Sequence, residues 1–132
     1  MLRKITNQPL SYPWGSTHLI PDLIGLEESE TPLSEVWFGT HPVSPARTET
    51  GEELKDLSGD LGFLVKFLSA ASPLSIQSHP NLKQAKSGFE DEQVREVPID
   101  DFSRNFKDAN HKPELLIAIS PFRVLSGFRP VS

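Results

Sequence analysis

The chain has 132 residues and a formal net charge of −5, and a chain of this length buries roughly two-thirds of its extended surface in one core. Its acidic residues leave no basic stripe for a nucleic-acid backbone, and it has no cysteine for a disulfide or a thiolate metal site. No stretch approaches the roughly 20 apolar residues of a membrane span, and the N-terminus lacks the apolar core of a signal peptide. We therefore expect a cytoplasmic protein that binds neither nucleic acid nor a membrane.

The predicted elements are short, because 12 prolines divide the sequence and favour strands and ordered loops over long helices. A short helix is predicted over 52–57, and a longer helix starts at Asn81, whose side chain can cap it, and runs to about Gly88. The polar stretch 90–110 is predicted as a loop or short irregular helices. Candidate strands in chain order are 35–39, 63–69, 74–78, 114–120 and 123–128. The predicted class is therefore mostly β with short helices.

Lys66 is the one charged residue in the apolar run 63–68. A lysine is rarely buried without a partner. It could lie on an edge strand with its stem on the apolar surface and its ammonium group in water. It could instead form an anion site, and the sequence alone leaves both interpretations open.

Polar and apolar residues alternate in the segment 74–79, so Ser75, Gln77 and His79 share one face of the predicted strand. Gln77 and His79 have the spacing of two metal ligands, and Glu114 could add a third from a neighbouring strand. Lys112 lies two residues before Glu114 and shares its face. A histidine before a proline is also typical of a strand end satisfied by backbone contacts, so the spacing alone leaves metal binding open.

Two tryptophans lie close before glycines, in Trp14-Gly15 and in Trp37-Phe38-Gly39. Each could pack in the core or form the aromatic wall of a sugar pocket. Core packing is the better interpretation for Trp37 and less clearly so for Trp14.

Six ordered motifs run along nearly the whole chain, and together they are specific to one family. On these motifs the chain resembles the type I mannose-6-phosphate isomerases, also called phosphomannose isomerases. The motifs are YPWGS at 12–16, SEVWFGTHP at 34–42, FLVKFL at 63–68, LSIQSHPN at 74–81, DANHKPE at 108–114 and GFRP at 127–130.

The resemblance implies a cupin-type jelly-roll β-barrel, present here in part as a single domain over 1–132. It also implies a bound Zn²⁺ ion and the interconversion of mannose 6-phosphate and fructose 6-phosphate through an enediol. Matched residue by residue, Gln77, His79 and Glu114 correspond to three metal ligands of the family.

The same resemblance assigns the residues of the substrate pocket. Lys66 and Lys112 match lysines that line the active site, Ser75 matches a serine at the phosphate end of the substrate, and Trp14 matches an aromatic residue near the pocket. Catalytic roles are therefore expected for Lys112 and Lys66.

Family members are longer than this chain, and their fourth metal ligand, a His, and an active-site Arg lie beyond the part that it matches. We therefore expect an N-terminal portion of the family's cupin domain. The alternative is a truncated, non-catalytic cupin-like module that binds a metal or a sugar phosphate. Incomplete barrels expose strand edges, which a homo-oligomer could cover.

Overall fold

The computed structural model describes residues 2–127, and the chain divides into two compact units, Met1–Ile76 and Gln77–Ser132. Small antiparallel sheets with short helices are present as predicted, and within residues 2–127 the strands do not close into a barrel. No helix in this part of the chain is long and apolar enough to cross a membrane. The elements are β1 (Ile5–Thr6), α1 (Leu19–Ile24), β2 (Glu35–Phe38), β3 (Arg47–Thr48), α2 (Leu54–Ser58), β4 (Val65–Leu68) and α3 (Leu82–Val94).

The first unit contains two sheets, each of two antiparallel strands, which pair β1 with β3 and β2 with β4. The β2–β4 pair confirms the strands predicted at 35–39 and 63–69, and its register places Trp37 opposite Lys66. Val36 in β2 is buried, as are Ile20 and Ala46. The short helix α2 lies close to the prediction of a helix over 52–57.

Gly15 stands where two backbone segments approach closely. Ser16 and Leu33 exchange two backbone hydrogen bonds of 3.2 and 2.9 Å across this point. A Cβ atom at Gly15 would lie 2.5 Å from the Ser34 hydroxyl oxygen and 2.8 Å from the Leu33 carbonyl group. Close packing therefore explains why a glycine follows Trp14, because a larger residue does not fit at that position.

The second unit contains α3, and the predicted helix is confirmed together with its cap. Asn81 and Gln84 form a reciprocal capping box, in which each side chain accepts a hydrogen bond from the other residue's backbone N–H. The helix continues past Gly88 to Val94, so the prediction of a loop or irregular helices over 90–110 is wrong for its first residues. The polar stretch stays helical because Glu92 is buried and its carboxylate is fully engaged by hydrogen bonds.

Three predicted strands are wrong in the part of the chain that the structure describes. The segments 74–78, 114–120 and 123–127 adopt no strand, and residue 128, the last of the third prediction, lies outside the described residues. A strand needs a neighbour that pairs with its backbone groups, and these segments form no backbone ladder among residues 2–127. Apart from the half-buried Leu74, their apolar side chains are exposed, with Leu115 87% and Ile117 75% accessible.

The sequence also missed α1, β1 and β3. The two strands have two residues each, too few for a period to be visible. Helix α1 has six residues and includes Pro21, and it is followed by a C-cap, Gly25, in the left-handed conformation with φ of 72°.

Candidate metal and substrate site

Three of the residues predicted to carry chemistry lie together in the second unit. The Nδ1 atom of His79 is 2.8 Å from the backbone oxygen of Lys112 and 3.7 Å from a carboxylate oxygen of Glu114. The ammonium nitrogen of Lys112 is 3.6 Å from the other carboxylate oxygen of Glu114. The chain from 112 to 114 therefore meets His79 without forming the predicted strand, and all three side chains are at least partly accessible to a ligand.

The contact with Lys112 fixes the proton on the His79 ring. A carbonyl oxygen can only accept, so the Nδ1 atom of His79 must carry the hydrogen and donate it. In the neutral ring, the lone pair of Nε2 then remains for a metal ion. Histidines that bind metals commonly donate their other ring N–H to a backbone carbonyl or carboxylate, which orients the ring and raises its basicity.

The donor types at this place fit zinc. Imidazole nitrogen and carboxylate oxygen are ordinary zinc ligands, and the amide oxygen of Gln77 is a further neutral donor two residues before His79. Within residues 2–127, no three His, Asp or Glu side chains come together as metal ligands. His79 and Glu114 are neighbours in the structure, with the carboxylate 3.7 Å from Nδ1 of the ring, whereas Gln77 is exposed and makes no side-chain hydrogen bond within the described part. Its role as a ligand stays a prediction.

Lys66, in the first unit, has a carboxylate partner that the sequence did not reveal. Its Nζ atom lies 3.3 Å from Oε1 of Glu35 and 5.9 Å from the centre of the Trp37 ring. The Trp37 indole N–H donates to Oε2 of the same carboxylate at 2.7 Å. The Glu35 side chain is only 9% exposed and that of Lys66 is 28% exposed, so the two charges compensate each other in a largely buried place.

A signal for Glu35 was present in the sequence. The register of the sheet sets Lys66 directly across from Trp37, and Glu35 lies two residues before Trp37 on the same strand. Residues two apart on a strand share a face, and cross-strand neighbours on that face interact. A glutamate at the start of a buried strand could therefore have been matched with the single lysine of the facing strand.

The two other predicted pocket residues also belong to the first unit. Trp14 is half-buried and stacks on Tyr12, with 5.6 Å between the ring centres. Its backbone oxygen accepts hydrogen bonds from Ala71 and Ser72. Ser75 is exposed and makes no side-chain hydrogen bond among residues 2–127. The substrate-binding roles of Trp14 and Ser75 stay predictions.

His79 also lines one side of a cleft of about 740 Å³, and α3 and the loop that follows it form the opposite side. Its lining is partly polar and partly apolar, and it includes a lysine but no carboxylate. The lining residues are Ser78, His79, Pro80, Lys83, Gln84, Ser87, Gly88, Asn105 and Phe106.

Sequence reasoning missed the two charged residues that hold this loop, Glu92 and Arg104, both of which are buried. Hydrogen bonds from Asn105, above all from its backbone N–H, lower the pKa of the Glu92 carboxyl below its ordinary value. Both residues lie in a stretch whose composition is typical of a solvated loop, and only their burial distinguishes them.

Known proteins resemble this chain over most of its length. Residues 46–131 match the family model described as phosphomannose isomerase type I, catalytic domain. The mannose-6-phosphate isomerase of Escherichia coli (strain K12) is 38% identical, over 99% of this chain and 39% of that protein. The mannose-6-phosphate isomerase of Homo sapiens is 34% identical, over 91% of this chain and 33% of that protein.

Solved structures give the same result. A crystal structure of mannose 6-phosphate isomerase bound with zinc and yttrium has a TM-score of 0.74 at 35% identity, covering 83% of this chain and 33% of that one. The Salmonella typhimurium mannose 6-phosphate isomerase, bound to its substrate fructose 6-phosphate and to zinc, has a TM-score of 0.71 at 36% identity with the same coverage.

These matches define a class, the catalytic domains of sugar-phosphate isomerases. The chain belongs to the family of type I phosphomannose isomerases. It spans 39% of the length of the E. coli relative.

Proposed function

We propose that this chain supplies part of the active site of a zinc-dependent isomerase that interconverts mannose 6-phosphate and fructose 6-phosphate. The observation that carries the proposal is the cluster of His79, Lys112 and Glu114, in which the ring proton is held on Nδ1 and Nε2 is left for a metal. Membership of the family and relatives solved with zinc and with fructose 6-phosphate support it. We place Gln77 with His79 and Glu114 as the residues that would hold the ion.

The reaction explains why such a cluster is needed. Exchange between an aldose and a ketose moves a proton between C1 and C2 through an enediol, and negative charge builds up on the sugar oxygens as the proton leaves. Zinc, when bound, would supply Lewis-acid polarisation of those oxygens. The ammonium group of Lys112, held beside the Glu114 carboxylate, stabilises the same developing charge and can donate a proton to the sugar oxygens.

The residues of the first unit have supporting roles in this proposal. Lys66, kept in one position by Glu35 and Trp37, offers a second ammonium group to the anionic substrate. Ser75 binds the phosphate end, and Trp14 lines the pocket. Lys66 and Ser75 together would hold the sugar phosphate in one orientation, which lowers the entropic cost of reaching the transition state.

We further propose that the fold is the cupin-type β-barrel of the family and that the enzyme acts in the cytoplasm. The alternation in 74–79 and the apolar run 115–119 are the patterns expected of barrel strands, whose inward side chains can bind a ligand. A homo-oligomer that covers the exposed apolar side chains is compatible with this assignment and stays a prediction.

The test is the zinc content of the purified chain, measured in the same preparation as its turnover of mannose 6-phosphate. Ala variants of His79, Glu114 and Gln77 should each lower the zinc content, whereas His111→Ala removes an exposed histidine of the same segment and should leave it unchanged. Zinc with turnover supports the isomerase, and zinc without turnover supports the alternative, a non-catalytic binding module. Zinc content that stays the same in His79→Ala would rule out this site.

A further inference from the structure

The loop after α3, residues 95–107, is attached to the helix by a buried carboxylate. Glu92 is 3% exposed. It accepts hydrogen bonds from the backbone N–H groups of Asn105 at 3.0 Å and Phe106 at 2.8 Å, and from the Asn105 amide at 3.3 Å. Charged acceptors make stronger hydrogen bonds than neutral ones. Two successive backbone N–H groups of the loop are therefore tied to one position on the helix.

A buried guanidinium group holds the same loop from the other side. The Arg104 side chain is completely buried, and its Nε donates to the backbone oxygen of Phe106 at 2.8 Å. Its Nη1 donates to the Gln93 amide oxygen and to the backbone oxygen of Val97. Since Nε also lies 3.4 Å from the Glu92 carboxylate, the two charges compensate each other, and both polar backbone groups of Phe106 are bound by charged side chains.

The ion pair of Glu92 and Arg104 adds little net free energy to stability, because burying its charges costs solvation free energy. The Nη2 atom of Arg104 is buried with no hydrogen-bond partner among residues 2–127, and desolvating two charges offsets much of their attraction. A buried ionic pair is weak grounds for stability, and its best-attested role is to specify one arrangement of the chain. The arrangement specified here is the position of Asn105 and Phe106.

Asn105 and Phe106 are also held against the helix by shape. The Phe106 ring packs so closely on Gly88 that a Cβ atom there would lie 2.4 Å from the ring. Together with His79 and Lys83, the two loop residues line the cleft of about 740 Å³. The loop is thus a fixed wall of a space that contains one of the proposed metal ligands and a lysine.

We propose that Glu92 and Arg104 are positioning residues that fix Asn105 and Phe106 as the wall of a sugar-phosphate subsite in the cleft beside His79. The proposal rests on the proposed function for the identity of the ligand. Lys83 adds a positive charge that attracts the anionic ligand, the Gln84, Ser87 and Asn105 side chains offer hydrogen bonds to its hydroxyl groups, and the absence of carboxylates from the lining avoids repulsion of an anion. Neither Glu92 nor Arg104 lines the cleft, so their effect passes through the wall.

The variant that tests the pair is Glu92→Gln, which keeps the shape and removes the charge. Its matched control is Asp91→Asn, because Asp91 is the neighbouring helix carboxylate but is exposed and pairs with Arg95 at 2.8 Å. Hydrogen exchange at the Asn105 and Phe106 amides reports on the wall without any ligand. Calorimetric titration with mannose 6-phosphate reports on the subsite.

In Glu92→Gln we expect exchange at these two amides to rise roughly tenfold and mannose 6-phosphate to bind roughly tenfold more weakly, the loss of one charged hydrogen bond. Zinc content should be unchanged, and Asp91→Asn should match the parent in every readout. Unchanged exchange, or faster exchange with unchanged binding, overturns the proposal. If Glu92→Gln does not fold, Arg104→Lys takes its place, because it keeps the charge but loses the contacts to Phe106 and Val97. The same changes in amide exchange and in mannose 6-phosphate binding are then expected of that variant.

These results separate this proposal from the proposed function. A parent chain that holds no zinc contradicts the proposed function, while the exchange of the two amides still decides whether the pair fixes the wall. A parent chain that holds zinc but binds no mannose 6-phosphate overturns the subsite and leaves the metal centre supported.

Discussion

Replacing Glu35 by Gln tests the arrangement that holds Lys66. The two carboxylate oxygens each serve a different donor, the Lys66 ammonium at 3.3 Å and the Trp37 indole N–H at 2.7 Å. A glutamine has the same shape but only one acceptor oxygen. In Glu35→Gln, one of the two donors must therefore face an NH₂ group, which is also a donor.

The expected cost follows from these contacts. A buried donor left without a partner costs about 1–3 kcal/mol. Breaking a fully buried ion pair costs about 3–5 kcal/mol, and breaking an exposed pair costs about 0–1 kcal/mol. Because Lys66 keeps 28% of its side chain in water, we expect the cost of breaking this pair to lie near the lower limit of the range for buried pairs. We expect Glu35→Gln to lower the free energy of unfolding by about 2–3 kcal/mol.

The assay is urea unfolding followed by tryptophan fluorescence, since Trp14 and Trp37 both belong to the first unit. A loss of this size moves the midpoint by about 1 M at the urea dependence usual for small proteins. The control is Glu49→Gln, whose side chain is 63% exposed and pairs with Lys4 at 3.1 Å; it should cost no more than about 1 kcal/mol. Equal losses in the two variants would refute the reasoning.

Three further perturbations give defined outcomes. Gly15→Ala should lower the free energy of unfolding by about 1–3 kcal/mol, because the new Cβ would clash with the Leu33 backbone. Its control is Gly62→Ala, in open space, which should change that free energy by no more than about 0.5 kcal/mol. The midpoints of urea unfolding measure both changes. Asn81→Ala removes the capping box and should cost about 1 kcal/mol, seen as reduced helical circular dichroism. The pKa of Glu92 is lowered by its hydrogen bonds from Asn105, so its stabilisation is present above the unfolded value of about 4.3 and is lost as the pH falls through the lower folded value. Urea unfolding from pH 6 downwards should show this loss in the parent and less of it in Glu92→Gln.

Local signals predicted well in this chain. The start of α3 is determined by Asn81 and Gln84, whose side chains act on backbone groups three residues away, and such contacts can be recognised in a sequence. The strands β2 and β4 were predicted, because both segments have the composition of buried strands. Their pairing with each other was not predicted, because nothing in the sequence specified their partners. The end of α3 was missed because the burial of Glu92 depends on residues more than ten positions later.

The candidate site shows the same division. The spacing of His79, Lys112 and Glu114 and the resemblance to the family predicted that they act together, and the structure places them in contact. The contact that sets the His79 tautomer is made by a backbone oxygen, which every residue has and no sequence pattern marks. Arg104 looked like one more charge in a polar stretch, and its role depends on complete burial.

The apolar run 115–119 stands in water next to the proposed metal ligand Glu114. It combines strong β propensity with no charge and no proline, the composition that favours stacking of identical segments into cross-β structure. Pro113 and Pro121 flank it as gatekeepers that limit how far such pairing can spread. The five residues that the sequence predicts as a buried strand are therefore an aggregation hazard whenever they are left uncovered.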